Sequence, residues 1–317
     1  MEFWELRQTR DLPLEMKIVK SKARIREWHD HWRGQIYVSF SGGVDSSALL
    51  HLARSIYPDV PAVFADTGLE YPEIRGFVRQ HENVEVVRPE TSFREVIERH
   101  GYPVVSKEQA KFIEEVRNTS SERLRDIRLN GALMPDGSRS RFGRLSAKWK
   151  YLLEAPFKIS AKCCGIIKKK PFIKYERRAG RAVMTGESAS DSLRRRTMYL
   201  KYGCNGFEMK RPKSTPLGFW RKNDTLRYLR DFGVPYCGVY GEIVEEDGKL
   251  HTTLERATGC LFCMFGVHRD GADNRFTRMK KSHPELWKYC VYSLGLKDVL
   301  EYIGVPYGGE SDETEAR

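Results

Sequence analysis

The stretch from Ile36 to Leu52, IYVSFSGGVDSSALLHL, limits what this chain can fold into more than any other. Ile36 to Phe40 is an apolar, β-branched run with the make-up of a buried strand, and Ala48-Leu49-Leu50 opens a helical pattern. Between them Ser41-Gly42-Gly43-Val44-Asp45-Ser46-Ser47 must turn the chain sharply. Two glycines allow backbone conformations that place successive N–H groups toward an anion. A helix N-terminus behind them adds partial positive charge. Ser41, Ser46 and Ser47 supply hydroxyls, and Asp45 suits a helix cap or a metal.

Two common phosphate loops are excluded. No lysine follows the glycines as a Walker A loop requires, and no G-x-G-x-x-G is present. The residues resemble the SGG-x-DS loop of the PP-loop ATP pyrophosphatases, the adenine nucleotide alpha hydrolase superfamily. That resemblance implies an adenine nucleotide whose phosphates lie on Ser41–Ser47, with Ser39 at the strand end beside them.

Beyond this loop the alternation of strands and helices continues. Residues 60–65 (VPAVFA) read as a second strand ending at Asp66-Thr67-Gly68, residues 84–87 as a third, and residues 92–100 as a helix. Short returns imply a parallel sheet with right-handed crossovers, and ligands in such sheets lie at the carboxyl ends of the strands. Ser106, with Gln109 three residues on, predicts a capping box for a helix through Arg117. Residues 118–143 lack apolar periodicity and read as an exposed connection or mobile arm. A strand over 181–185 ends at Gly186, and a helix over about 224–232 ends at Gly233. Residues 1–34 form a helical preface in which Ile18, Ile25, Trp28 and Trp32 mark a packing stripe. The fold class is α/β with a doubly wound, mostly parallel sheet. The expected organisation is an extension over 1–34, a nucleotide-binding domain over 35–240 with a basic insertion at about 118–180, and a cysteine-containing region over 241–317.

At 317 residues the chain can bury a full core. No run of about 18 apolar residues occurs, and the first residues carry charges where a secretory signal would be apolar. A cytoplasmic protein with no membrane association is expected, and its seven cysteines should be thiols or metal ligands. The formal charge of +12 is concentrated: residues 137–222 hold 23 Lys or Arg against 5 Asp or Glu. Aromatics such as Trp149, Tyr151 and Phe172 are interleaved with these cations. Such a region suits a polyanion, tRNA or DNA among them, or else it is a solvated basic face.

FADTGLEYPE (64–73), GESASDSLRRR (186–196) and TPLGFWRKNDTLRYLRDFGVPYCGVY (215–240) resemble, in that order, the phosphoadenosine phosphosulfate reductase family. The resemblance implies nucleoside contacts near Asp66, Thr67 and Gly68, and anion contacts from Arg194 and Arg195 beyond Gly186. Val44 stands where many reductases carry lysine, which resembles the ATP-cleaving branch. Asp45, Ser46 and Arg194 are the catalytic candidates, and Mg²⁺ is expected with ATP.

The cysteines form a second constellation. Cys163-Cys164 precede Cys260-Leu261-Phe262-Cys263 by 96 residues counted from Cys164. A CxxC turn offers two thiolates to one metal or cluster, and an adjacent pair can supply two more. The set resembles the [4Fe–4S] site of assimilatory adenylyl-sulfate reductases and related enzymes, with zinc as the competing occupant. Cys204, Cys237 and Cys290 have no partner spacing and read as core residues. The reductases' C-terminal ECG-x-H nucleophile has no match in the closing YGGESDETEAR. The leading expectation is therefore an ATP-using, cluster-containing enzyme of nucleotide activation or sulfur transfer. A sulfonucleotide reductase forming sulfite, with Cys290 or another cysteine as nucleophile, is the alternative. A non-catalytic nucleotide- or nucleic-acid-binding module is the third reading. A sulfur or electron donor protein and a homodimer are further expected partners.

Overall fold

The computed structural model describes residues 2–309, which divide into two compact units each built from separated stretches of chain. The first comprises Met1–Asp66, Glu70–Pro89 and Lys170–Gly259; the second comprises Thr67–Leu69, Glu90–Lys169 and Cys260–Arg317.

Helices α1 (Phe3–Arg10) and α2 (Leu14–His31) open the first unit. The buried face of α2 runs through Leu14, Lys17, Ser21, Ile25 and Trp28, while Ile18 and Trp32 are only partly covered. The stripe is therefore displaced from the apolar spacing, because Lys17 lies in it. Its ammonium group reaches Asp224 Oδ2 at 2.6 Å, so the aliphatic stem is buried and the charge is paired. Trp28 stacks on Phe207 with ring centroids 5.2 Å apart.

Strand β1 (Ile36–Ser39), helix α3 (Val44–Arg54), strand β2 (Ala62–Ala65), helix α4 (Pro72–Arg79) and strand β3 (Val84–Val87) follow. The chain then builds much of the second unit with α5 (Phe93–His100), β4 (Val104–Val105), α6 (Lys107–Asn118) and α7 (Glu122–Asn130). Ser92 and Glu95 form a reciprocal capping box on α5. On α6 only half of the expected box forms. Ser106 accepts from the Gln109 N–H, but the Gln109 side chain turns away to accept from the Ser146 N–H at 2.8 Å. Helix α7 occupies part of the segment expected to lack structure. It has Ser121 as its N-cap and buries no residue, so it leaves no apolar periodicity to read.

The return to the first unit brings α8 (Lys170–Ala179), β5 (Ala182–Thr185), α9 (Leu193–Tyr202), β6 (Asn205–Gly206), β7 (Lys213–Ser214) and α10 (Lys222–Asp231). A hairpin, β8 (Ile243–Glu246) and β9 (Lys249–Thr252), completes it. The sheet order is β3-β2-β1-β5-β7-β6, parallel throughout except for β6 against β7. This is the doubly wound, mostly parallel sheet expected from the sequence. Its central strands are covered on both faces, which is why β1, β2 and β5 are apolar runs rather than alternating ones. Tyr37, Val63, Phe172, Tyr175 and Val183 form one core cluster, and the buried Tyr37 hydroxyl donates to Glu176 at 2.7 Å.

The second unit closes with β10 (Met264–Phe265), α11 (Arg275–Ser282), α12 (Pro284–Lys288) and α13 (Leu296–Tyr302). Strand β10 pairs in parallel with β4, through Met264↔Val104 and Phe265↔Val105. Val105 takes φ +64°, the left-handed region, which is unfavourable for a β-branched residue.

Candidate functional site

The order in which strands are added changes sides at β1. Strand β2 lies on one side and β5 on the other, with Ser39 level with Thr185. Open α/β sheets leave a crevice beyond the strand ends at such a point. The segment 40–47 leaves β1 there, and Gly186 leaves β5 there. The two are pressed together: a Cβ on Gly186 would lie 2.7 Å from the Asp45 carbonyl oxygen. Gly42 has φ +70°, and a Cβ on it would meet Ile74 Cγ2 at 3.0 Å. Both positions require glycine for the loop to close.

Within the loop, hydroxyls hold the backbone. Ser46 Oγ donates to the Gly43 carbonyl at 2.8 Å and accepts from the Ser41 N–H at 3.2 Å, and Ser41 Oγ lies 3.1 Å from it. Ser46 thus shapes the turn. Ser47 differs: its Oγ is buried and has no hydrogen-bond partner. An orphaned hydroxyl in the first turn of α3 is costly unless something else accepts or donates there. No side chain caps α3, whose N-cap is Gly43.

The mouth of the loop holds residues that the sequence reading did not single out. The Tyr240 hydroxyl lies 2.6 Å from Thr258 Oγ1, and the Val44 and Thr258 N–H groups are directed at it. Burial pushes this phenol up to about 12. Lys222, the first residue of α10, reaches Asp45 Oδ2 at 3.0 Å. Burial raises the Asp191 carboxyl, and Asp45 adds to the rise. Lys222 and Tyr240 fall within the 215–240 segment without being marked individually there, and Thr258 lies outside every quoted motif; each is brought to the loop by the tertiary fold.

The arginine segment divides in role. Arg195 pairs with Asp191 at 2.8 Å and with Glu187 at 3.5 Å, and Glu187 also pairs with Lys213. Arg194 is exposed and makes no ion pair among the described residues. Asp66 is held between Arg75 and Arg88, each at 3.2 Å. Thr67 and Gly68 belong to the second unit, where Thr67 Oγ1 accepts from the Leu69 N–H at 3.3 Å.

The four cysteines of the CC and CxxC pairs all fall in the second unit. The Cys263 N–H donates to the Cys260 carbonyl at 3.1 Å, forming the CxxC turn, and the Leu261 N–H inside it donates to the Leu69 carbonyl at 2.8 Å. Burial pushes the Cys163 thiol well above its ordinary range, and Cys164, Cys260 and Cys263 raise it further by charge repulsion. Lys107 opposes that rise as a cation, and at Cys263 Arg275 does so as well. The donor chemistry of the four cysteines fits a four-thiolate cluster or zinc. Among the described residues, no group of three or more His, Cys, Asp or Glu is arranged in metal-binding geometry. Cys204, Cys237 and Cys290 are buried as expected of core residues. His268 packs edge-on to Trp149, with ring centroids 4.9 Å apart.

A family model described as the phosphoadenosine phosphosulfate reductase domain matches residues 35–255, from β1 through β9. The chain belongs to this family. Among curated relatives, the phosphoadenosine 5′-phosphosulfate reductase of Serratia proteamaculans is 30% identical over 83 residues, covering 25% of this chain and 34% of that protein. An uncharacterised protein of Methanocaldococcus jannaschii is 31% identical over 105 residues, 31% of this chain and 25% of its own length. These matches span about a third or less of the relatives. Among solved structures, the phosphate complex of the phosphoadenylyl-sulfate reductase from Candida auris aligns with a TM-score of 0.39 at 14% identity. That alignment covers 78% of this chain and 98% of the other. The U34-tRNA thiolase NcsA of Methanococcus maripaludis, with its [4Fe–4S] cluster, aligns with a TM-score of 0.37 at 14% identity, covering 90% and 80%. The loop at residues 41–47 follows β1, at the point where the strand order changes direction. Among the described residues no helix is long and apolar enough to cross a membrane.

Proposed function

We propose that this reductase-family chain binds ATP, or a closely related adenine nucleotide, on residues 41–47 and uses it to activate an acceptor by adenylation. The observation that carries this reading is the first turn of α3. It is uncapped by any side chain, sits at the switch point of the sheet, and contains the buried, partnerless Ser47 hydroxyl. Backbone N–H groups of that turn and Ser47 Oγ would receive phosphate oxygens. Lys222 supplies the cation that Val44 does not, and Arg194 is exposed for a second anionic group. In the reaction an acceptor oxygen attacks the α-phosphorus, the bond to the bridging oxygen breaks, and pyrophosphate leaves with the electron pair. Residues that hold pyrophosphate more tightly as its charge grows lower the barrier. Mg²⁺ is the expected companion of the phosphates, with Asp45 the nearest loop carboxylate.

Cys163, Cys164, Cys260 and Cys263 would hold a [4Fe–4S] cluster, or zinc in its place. Held by four thiolates, such a cluster would supply an electron and would leave no iron free for inorganic sulfur. With sulfur transfer as the second half-reaction, sulfide-level sulfur from a donor would attack the activated carbon, breaking the C–O bond to the AMP phosphate so that AMP leaves with the electron pair, and the basic surfaces suit a nucleic-acid acceptor. Sulfonucleotide reduction through Cys290 is disfavoured because that thiol is fully buried, and burial pushes it well above the ordinary thiol range.

Pyrophosphate release from ATP tests the reading directly. Wild-type protein is expected to release pyrophosphate with Mg²⁺ present, and Ser47→Ala is expected to weaken ATP binding about tenfold, or 1.4 kcal/mol. Absence of both binding and release would overturn it. Iron and acid-labile sulfide lost on Cys260→Ser and Cys263→Ser would assign the cluster.

A further inference from the structure

The basic residues between 137 and 222 are not equivalent in the structure. In the first unit several are consumed internally: Arg178 pairs with Glu85, Arg211 with Glu176, Lys213 with Glu187, and Arg195 with Asp191 and Glu187. In the second unit, Arg141, Arg144 and Lys150 are exposed and make no ion pair among the described residues. Between the first two sits Phe142, 87% exposed.

This exposure is imposed by an ordered scaffold rather than by a loose end. Residues 131–140 form a small hairpin with a bridge between Leu133 and Arg139, closed by Met134 N–H to Ser138 carbonyl at 2.9 Å. Arg139 is tied to Asp126. On the far side, Arg128 donates to the Gly143 carbonyl at 2.7 Å and its own carbonyl accepts from the Leu145 N–H at 2.6 Å. Arg128 is itself fixed by Glu115 and by the Phe112 ring 4.2 Å away. Leu145 is buried, so the turn is pinned immediately beyond Arg144. Leaving a phenylalanine in water forgoes about 2 kcal/mol of burial. Leu133 and Met134 are exposed on the same arm.

We propose that this arm, residues 131–150, is a landing surface for an unpaired stretch of nucleic acid. Phosphates sit on Arg141, Arg144 and Lys150, and a base stacks on the Phe142 ring. Guanidinium groups with no carboxylate to hold them suit phosphodiesters, and a lone aromatic ring among them suits the face of an unstacked base. A solvated basic surface explains the arginines but leaves the pinned, exposed ring without a role. The inference deepens the proposed function by placing its polyanionic acceptor, and rests on that reading for the acceptor's chemistry.

Fluorescence anisotropy with labelled oligouridylate tests it. Phe142→Ala is expected to weaken binding about tenfold while leaving the salt dependence unchanged. The combined Arg141→Gln, Arg144→Gln and Lys150→Gln variant is expected to lower the slope of log affinity against log salt by about 2. Both variants alter exposed side chains, and unchanged circular dichroism with unchanged ATP binding would show that fold and loop are intact. The proposal is overturned if Phe142→Ala binds as tightly as wild type. It is also overturned if the triple variant keeps the full salt slope, or if duplex DNA or polyglutamate binds as well with the same dependence on Phe142. Arm-dependent binding without pyrophosphate release would remove the proposed function and leave the arm. Release without binding would remove only the arm.

Discussion

At the scale of single residues, the loop depends on two glycines and one ion pair. Gly42→Ala places a Cβ against Ile74 and forces an L-residue into the left-handed region, at a cost of about 1–2 kcal/mol. Its urea midpoint is expected to fall accordingly, and its ATP affinity with it, because the same distortion moves the N–H groups of α3. Lys222→Met makes the opposite separation. The Lys222–Asp45 pair is 45% and 38% exposed, so its loss should change stability by less than about 1 kcal/mol. Nucleotide binding is expected to weaken about tenfold, and isothermal titration read beside the melting curve distinguishes the two effects. The loop itself was legible in the sequence because strand, glycines and helix start are contiguous. Lys222, Tyr240 and Thr258 were not, since they reach the loop from positions 175 or more residues along the chain.

At the scale of elements, the sheet was legible wherever burial on both faces wrote a continuous apolar run. Strands β1, β2 and β5 fall within a residue or two of their expected bounds, and the edge strand β3, with Glu85 and Val86 exposed, was legible from its β-branched residues instead. Strands β4 and β10 were not legible, because two residues carry no period. Helix α7 was hidden for the complementary reason that it buries nothing. The end of β5 carries a pH-dependent brace. Burial raises the Glu187 carboxyl, but Lys213 and Arg195 together outweigh it and hold it below its ordinary 4.5. A carboxyl depressed on folding contributes stability above its unfolded pKa and loses it as pH falls through the folded value. Glu187→Gln is therefore expected to be less stable than wild type at neutral pH, with a flatter loss on acidification. Chemical denaturation across that range, with parallel curves for the two proteins, would refute the brace.

At the scale of the molecule, neither unit is a continuous stretch of sequence. Composition and motif order pointed to three consecutive regions; interleaving of this kind depends on contacts far apart in the chain and leaves no local mark. A chain stopped before Cys260 lacks β10 and with it the partner of β4. Amide exchange across residues 104–118 is expected to accelerate strongly in such a truncation while β1, β2 and β5 stay protected. Equal protection in both segments would show that the second unit stands without its last stretch. The pairing of β4 with β10 also sets a schedule. Val104 and Met264 are 160 residues apart, and at about 5–20 residues per second a ribosome needs on the order of ten seconds to deliver the second after the first. Cys163 and Cys164 are made within that interval and Cys260 and Cys263 at its end, so no nascent chain that stops before Cys263 can present all four thiols together.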